Sequence, residues 1–558
     1  MHQPNYRDPI RGYYSMPWVR LHATKAYYDM ACLAARYPEM GFTFNLVPSL
    51  LEQLEDYGEG AAADYELLLT KKDPASLTDD EKEALLRRFF QANLTTMIKP
   101  LPRYLELLRY RGMNGTHSDI SNAVKNFAAQ DYLDLQVLFN LSWFGFSLRE
   151  EDPDIRKLVL KGRHYTVEDR DLLLEKQQTA TGKIVLLYRD LWEHGSIEVT
   201  TSPFYHPILP LLCDTSAALE GIPGCLLPRQ RYRFPDDARK QVKMGLDYLE
   251  DKLGKRPEGM WPSEGSVSPE ALDIIGEAGV RWVATDEQIL AKSVKDYNRK
   301  RDLYHPWETN GLAVFFRNHE LSDQIGFVYA KNPAAIAVDD FMAKLKSIAA
   351  SASGSAPLVT VILDGENAWE YFPNSGKDFL NELYTRILAE KSVKPVKFMD
   401  YLEEHPPGTN IPSIFPGSWI NATFDTWIGD QEEADGWDAL KNARDTLVKK
   451  ESGLSEEASN EAWLEIFRAE GSDWFWWYGG DHSSPNDPEF DRLFRAHLER
   501  VYHLIGEEVP REIAEPIIKK ESVRPDVEPT GLITPVIDGK ITTFYEWVSA
   551  GWMPANGP

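Results

Sequence analysis

Short strand-like runs alternate with helices of ten or more residues along much of this chain, and that alternation restricts the fold more than any other feature. Residues Gly41 to Val47 alternate apolar and polar side chains as a strand does, after a stretch of helical spacing from Trp18 to Tyr37. The pattern returns with strand-like Ile197 to Thr201, helix Asp236 to Leu253, strand-like Gly259 to Trp261, helix Pro269 to Ala278 and strand-like Arg281 to Ala284. Further strand-like runs, Leu312 to Arg317 and Leu358 to Leu363, flank a helical pattern from Pro333 to Ala350. Units of this kind build a parallel sheet with covering helices, and a barrel accommodates them.

The interruptions matter as much as the repeats. Between about 57 and 186 the pattern is helical and charged, which predicts a helical insertion within a β/α unit spanning 1–393. Helical stretches Asp430 to Lys450, Ser455 to Ala469 and Pro488 to Ile505 predict a helical subdomain over 394–510, packed on the barrel. From 511 to 558 the chain turns strand-like again around Asp538-Gly539, as a short β-like tail or incomplete domain.

Composition narrows the function. Lys plus Arg number 61 against 87 Asp plus Glu, a net charge of −26, and so acidic a surface repels phosphate backbones, which argues against nucleic acid. The cysteines Cys32, Cys213 and Cys225 form no C-x-x-C pair, and no window reaches the ~18 apolar residues of a membrane span. With no signal-like N-terminal segment, a cytoplasmic location is expected. Aromatic residues are abundant, with 16 Trp, 25 Tyr and 24 Phe. They suit either a large aromatic core or a groove in which sugar rings stack.

In a β/α barrel the chemistry sits in the loops after the strands. Two carboxylates stand there: Glu264, in Trp261-Pro262-Ser263-Glu264, and Asp364, in Leu363-Asp364-Gly365-Glu366-Asn367. A lone acid at a strand end is as readily a helix cap. A pair at one barrel mouth, beside Trp261 and Trp369, is what glycosidic cleavage requires, one acid protonating the leaving oxygen while the other attacks or activates water. His2, His206, His305 and His482 lack the i,i+4 spacing of a helical zinc motif, so no metal site or cofactor is expected. P-loop, dinucleotide and serine-elbow signatures are absent too.

The ordered strings His2-Gln3-Pro4, Gly195-Ser196-Ile197-Glu198, Trp261-Pro262-Ser263-Glu264 and Asp364-Gly365-Glu366-Asn367 together resemble glycoside hydrolase family 57, of the α-amylase and amylopullulanase type. The resemblance implies a (β/α)7 barrel followed by helices, acting on α-glucans with retention. It implies Glu264 as nucleophile and Asp364 as acid/base, with carboxyl groups about 5 to 5.5 Å apart and the acid's pKa raised. His2 and Glu198 match positions that hold hydroxyls of the sugar at the cleavage subsite; Trp261, Trp419 and Asp473 match positions that contact glucan. Arg317 and Asp323 form either a structural ion pair or a brace for the nucleophile. The aromatic run Trp474 to Tyr478 is expected in the core, where helices meet barrel.

The expected substrates are α-1,4 bonds, with α-1,6 as a second linkage, in starch, glycogen or maltodextrin. A 4-α-glucanotransferase or branching enzyme and, in another class, a non-catalytic glucan-binding protein are the alternatives; oligomeric state is left open. Family relatives carry an apolar strand just before His-Gln-Pro, whereas Met1 directly precedes His2 here. The expectation is that this chain starts after its first barrel strand and stops within a C-terminal sheet.

Overall fold

The computed structural model describes residues 1–354 and 356–519. Of the tail expected over 511–558, Arg511–Ala514 forms a short helix, and the residues from 520 onward, with the expected strand-like run, lie outside the described residues. Parallel strands β1 (Phe42–Asn45) and β2 (Ile197–Thr200) pair in register, Phe42 opposite Ile197. A bridge from Thr201 to Met260 continues the ring into β3 (Gly259–Met260), which pairs with β4 (Trp282–Asp286). After β5 (Trp307–Thr309) comes β6 (Leu312–Arg317), parallel to β4 along its length.

The predicted strand at 358–363 is extended but forms no ladder among the described residues. The cause is β5, which runs antiparallel on the far edge of β6 and takes the hydrogen bonds of Leu312 to Val314. Asn318, just past β6, then donates its N–H to Thr360 O at 2.7 Å, and Leu358 N–H donates to Tyr304 O at 2.9 Å. The ring is closed by the first residues. The Met1 amine donates to Asn45 O at 2.8 Å, Val47 N–H donates to Met1 O at 3.3 Å, and His2 N–H donates to Glu366 Oε1 at 2.9 Å. The result is a distorted (β/α)7 barrel whose ring runs Met1-His2, β1, β2, β3, β4, β6, 358–363.

Helices from Tyr65–Lys71 to Val167–Thr181 lie between β1 and β2 and bury an apolar core of their own around Leu85, Phe89, Tyr104, Leu135, Phe139 and Trp143. Apolar contacts of this kind dominate their stability. The C-terminal helices Gln431–Lys450, Glu456–Ala469 and Asp487–Ile505 instead join the barrel core: Trp437, Leu440, Ile466 and Phe494 share one cluster with Leu246, Met260 and Val283. Of the aromatic run, Trp474, Phe475 and Tyr478 are core as expected, while Trp476 and Trp477 turn partly outward onto a cleft.

Candidate active site

A cavity of about 1370 Å³ opens at the C-terminal ends of the strands. Its walls include Glu264, Asp364 and Glu366, His2 and His206, Asp473, and the indoles of Trp261, Trp419, Trp476 and Trp477.

Glu264 sits in a one-turn 3₁₀ helix, Ser263–Gly265, immediately after β3, with φ 56° and ψ 27°. Left-handed backbone is costly for a residue with a Cβ, on the order of 1 to 2 kcal/mol, and persists where surroundings over-determine it. They do so here. Trp419 N–H donates to Glu264 O at 2.9 Å, Thr285 Oγ1 donates to Gly265 O at 2.6 Å, and Val267 and Gly417 exchange backbone bonds just beyond. Gly265, also left-handed at φ 59°, lies under Trp261, where a Cβ would meet the indole at 2.8 Å. The turn therefore aims the Glu264 side chain at the cleft, where Trp419 Nε1 donates to Oε2 at 2.8 Å.

Removal from water, then the charge of Asp364, push the Glu264 carboxyl up to about 8, and the indole hydrogen bond opposes the shift. Asp364 differs: it is exposed on the rim and, among the described residues, accepts only from Asn367 Nδ2, at 3.2 Å. The resemblance implies a raised acid at Asp364, yet the structure raises Glu264.

Behind the cleft, Arg317 at the end of β6 donates to Asp286 Oδ2 at 3.1 Å and to Ile362 O at 2.8 Å, and pairs with Asp323. His319 bridges Asp286 and Asp323 at 3.1 and 2.9 Å, and these carboxylates hold its pKa up to about 10. The Arg317 guanidinium lies over the Trp419 ring at 5.2 Å from its centroid. Arg317 and Asp323 thus stand outside the cavity wall and brace it through Trp419. Trp261 and Trp419 meet edge to face at 5.4 Å and both front the cleft.

The structure does not bring Glu198 to this wall. Its carboxyl is buried beside the sheet, accepting from Trp282 Nε1 at 3.1 Å and Met399 N–H at 3.2 Å, and burial pushes it up to about 7. His2 and Asp473 do converge, with His2 Nε2 3.2 Å from Asp473 Oδ1. Desolvation, aided by the nearby N-terminal amine, lowers His2 to about 3, so the ring is neutral; burial and then Glu264 raise Asp473 well above the carboxylate range.

Sequence reasoning passed over two groups. Glu366 is buried on the cavity wall, its Oε1 accepting from His2 N–H and, at 3.1 Å, from Tyr27 OH. Tyr27 reaches it from a π-helical turn, Ala23–Tyr27, inside the predicted first helix. His206 packs against His2, ring centroids 3.6 Å apart and planes tilted by 36°. It follows β2 within Thr201-Ser202-Pro203-Phe204-Tyr205-His206, so the search for polar residues after strands could have found it.

The model of glycosyl hydrolase family 57 matches residues 1–412. This chain belongs to glycosyl hydrolase family 57. Alpha-amylase 1 of Dictyoglomus thermophilum is 32% identical over 226 residues, covering 38% of this chain and 28% of that protein. The chain matches no more than about a third of the length of the curated relatives. An alpha-amylase structure from Thermotoga maritima superposes with a TM-score of 0.57 at 14% identity, over 92% of this chain and 94% of that one. The family 57 branching enzyme of Pyrococcus horikoshii gives 0.54 at 18% identity, over 93% and 96%. At such identities the likeness concerns the fold. Among the described residues, no helix is long and apolar enough to cross a membrane.

Proposed function

We propose that this family 57 protein cleaves α-glucosidic bonds of starch, glycogen or maltodextrin, primarily α-1,4, with retention of configuration. The observation that carries the reading is the strained, indole-tethered Glu264 at the floor of an aromatic cleft, within electrostatic reach of the exposed Asp364.

In this reading Glu264 attacks the anomeric carbon as a carboxylate while Asp364 protonates the departing glycosidic oxygen. The glycosyl ester is then released by a water that Asp364 deprotonates. Trp419 Nε1–H orients the attacking carboxylate and favours its ionised form. Because burial holds a proton on Glu264 up to about pH 8, attack requires that this proton pass to Asp364, which then delivers it to the departing oxygen while the positive charge developing on the sugar favours the ionised Glu264. His2 and Asp473 are the groups that hold sugar hydroxyls, and Trp261 and Trp419 supply faces for sugar rings.

Release of the same ester to a sugar hydroxyl gives the transferase or branching alternative. Amylose with iodine and a reducing-end assay separate the readings. Hydrolysis loses the stain and gains reducing ends, transfer changes the stain without that gain, and binding alone does neither. Absence of all turnover on α-glucans overturns the proposal.

A further inference from the structure

We propose that His2, His206 and Asp473 form a binding site for one divalent ion of the zinc class on the wall of the cleft, and that the bound ion blocks glucan entry.

Residues far apart in the chain converge here, each offering a ligand atom, with all of these atoms within 4.8 Å of one another. His2 Nε2 and Asp473 Oδ1 are 3.2 Å apart, close to the edge of about 3.3 Å that a tetrahedron with zinc bonds of about 2.0 to 2.1 Å requires. A second observation points the same way. His2 Nε2 is buried without a hydrogen-bond partner, because the carboxylate beside it does not meet hydrogen-bond geometry. A buried ring nitrogen left this way lacks, among the described residues, the partner that buried polar atoms normally have.

The supporting groups are also built in. His206 Nδ1 is engaged with Ser472 Oγ at 3.1 Å, the outer partner that fixes a ligating ring and leaves Nε2 for an ion. Ser472 N–H donates to His206 O at 3.1 Å and directly precedes Asp473, so one short connection sets two of the ligands. His206 itself is held left-handed at φ 58°, a conformation kept here against its cost. Two imidazoles and one carboxylate suit zinc and its neighbours, whereas calcium and magnesium seek oxygen-rich shells of six or more. All three residues line the cleft.

Blockage rests on the reading of His2 and Asp473 as sugar-holding groups; ion binding does not. The test is isothermal titration of chelator-treated, full-length protein with zinc chloride, without glucan. One ion per chain is expected, with affinity lowered at least tenfold in His206→Asn and in Asp473→Asn, and unchanged in a control replacing the exposed His117 and His194. X-ray absorption of the zinc-loaded wild type is expected to show two nitrogen ligands and a carboxylate oxygen at about 2.0 to 2.2 Å. It decides the matter even if a variant fails to fold. With maltoheptaose, zinc is expected to raise KM without lowering kcat, reversibly by chelator. No saturable binding, a shell with fewer than two histidines, or binding that survives both substitutions overturns the site. Zinc bound as described to a protein inert toward every α-glucan leaves the metal site standing and removes the proposed function instead.

Discussion

The two carboxylates stand on regions built in opposite ways. Glu264 rides on a turn pinned by the Trp419 backbone N–H and the Thr285 hydroxyl, with Trp261 covering its glycine and the Arg317 network braced behind. Asp364 ends an extended segment with few backbone ties, exposed and held only by Asn367. One acid is positioned before substrate arrives, at a cost in strain and desolvation. The other is left to be positioned by what binds. In the proposed mechanism that difference fits the two roles: an attacking atom tolerates little misplacement, whereas a proton donor must serve first a leaving oxygen and then an incoming one.

The sharpest way to break this comparison is Glu264→Gln. Turnover is expected to fall at least a thousandfold, since an amide cannot form the ester, with azide restoring part of it in Glu264→Ala. The fold should gain. Glu264 has a folded pKa of about 8, above its unfolded value of about 4.5, so the native state retains a proton that the unfolded chain releases. Its contribution is therefore intact below pH 4.5 and is lost as pH rises through 8. Because the carboxyl is partly open to the cleft, the stabilisation of the amide variant should grow across that window to roughly 1 to 3 kcal/mol, read as Tm against pH. A gain independent of pH contradicts the assignment.

Asp364→Asn is expected to cost about a hundredfold to ten-thousandfold on glucans and much less on a glycoside whose leaving group needs no proton. It should also lower the pKa of Glu264 by removing the neighbouring charge, measurable by ¹³C NMR of labelled glutamate. A Glu264 titration that stays put breaks the coupling between the two regions.

Trp419→Phe keeps the ring and removes the N–H. A charge-assisted hydrogen bond is worth about 1.5 to 3 kcal/mol, so kcat/KM should fall roughly tenfold to a hundredfold, with the acid limb of its pH profile displaced upward. A loss without that displacement assigns Trp419 to sugar stacking alone. The smallest effect is expected from Arg317→Lys, which keeps charge but loses the fork that joins Asp286, Asp323 and Ile362 O. A few-fold drop in kcat with KM unchanged fits a brace acting through Trp419; a change in KM alone places Arg317 in contact with glucan.

The order of strands and helices was legible in the residues because side-chain periodicity is local. Trp282 to Asp286 and Leu312 to Arg317 alternate or run apolar whatever packs against them. The catalytic candidates Glu264 and Asp364 were legible for the same reason, since each follows a strand-like run. The missing ladder at 358–363 was not, because it depends on β5 having taken one edge of β6. Nor was the fate of Glu198, whose strand position was correct while its side chain went to Trp282 and Met399 instead of the cleft.

The sequence by itself determined the β/α alternation, the family and the two acids that follow strand-like runs, all carried by neighbours within a few residues. Only the tertiary structure decided which polar groups meet. His2, His206 and Asp473 share a wall, Tyr27 reaches Glu366, and Arg317 stands behind Trp419. These contacts join residues tens to hundreds of positions apart, so ring closure and helix docking set them. The same holds for charge: the composition counts carboxylates, but burial and neighbours, which exist only once the chain has folded, raise Glu264.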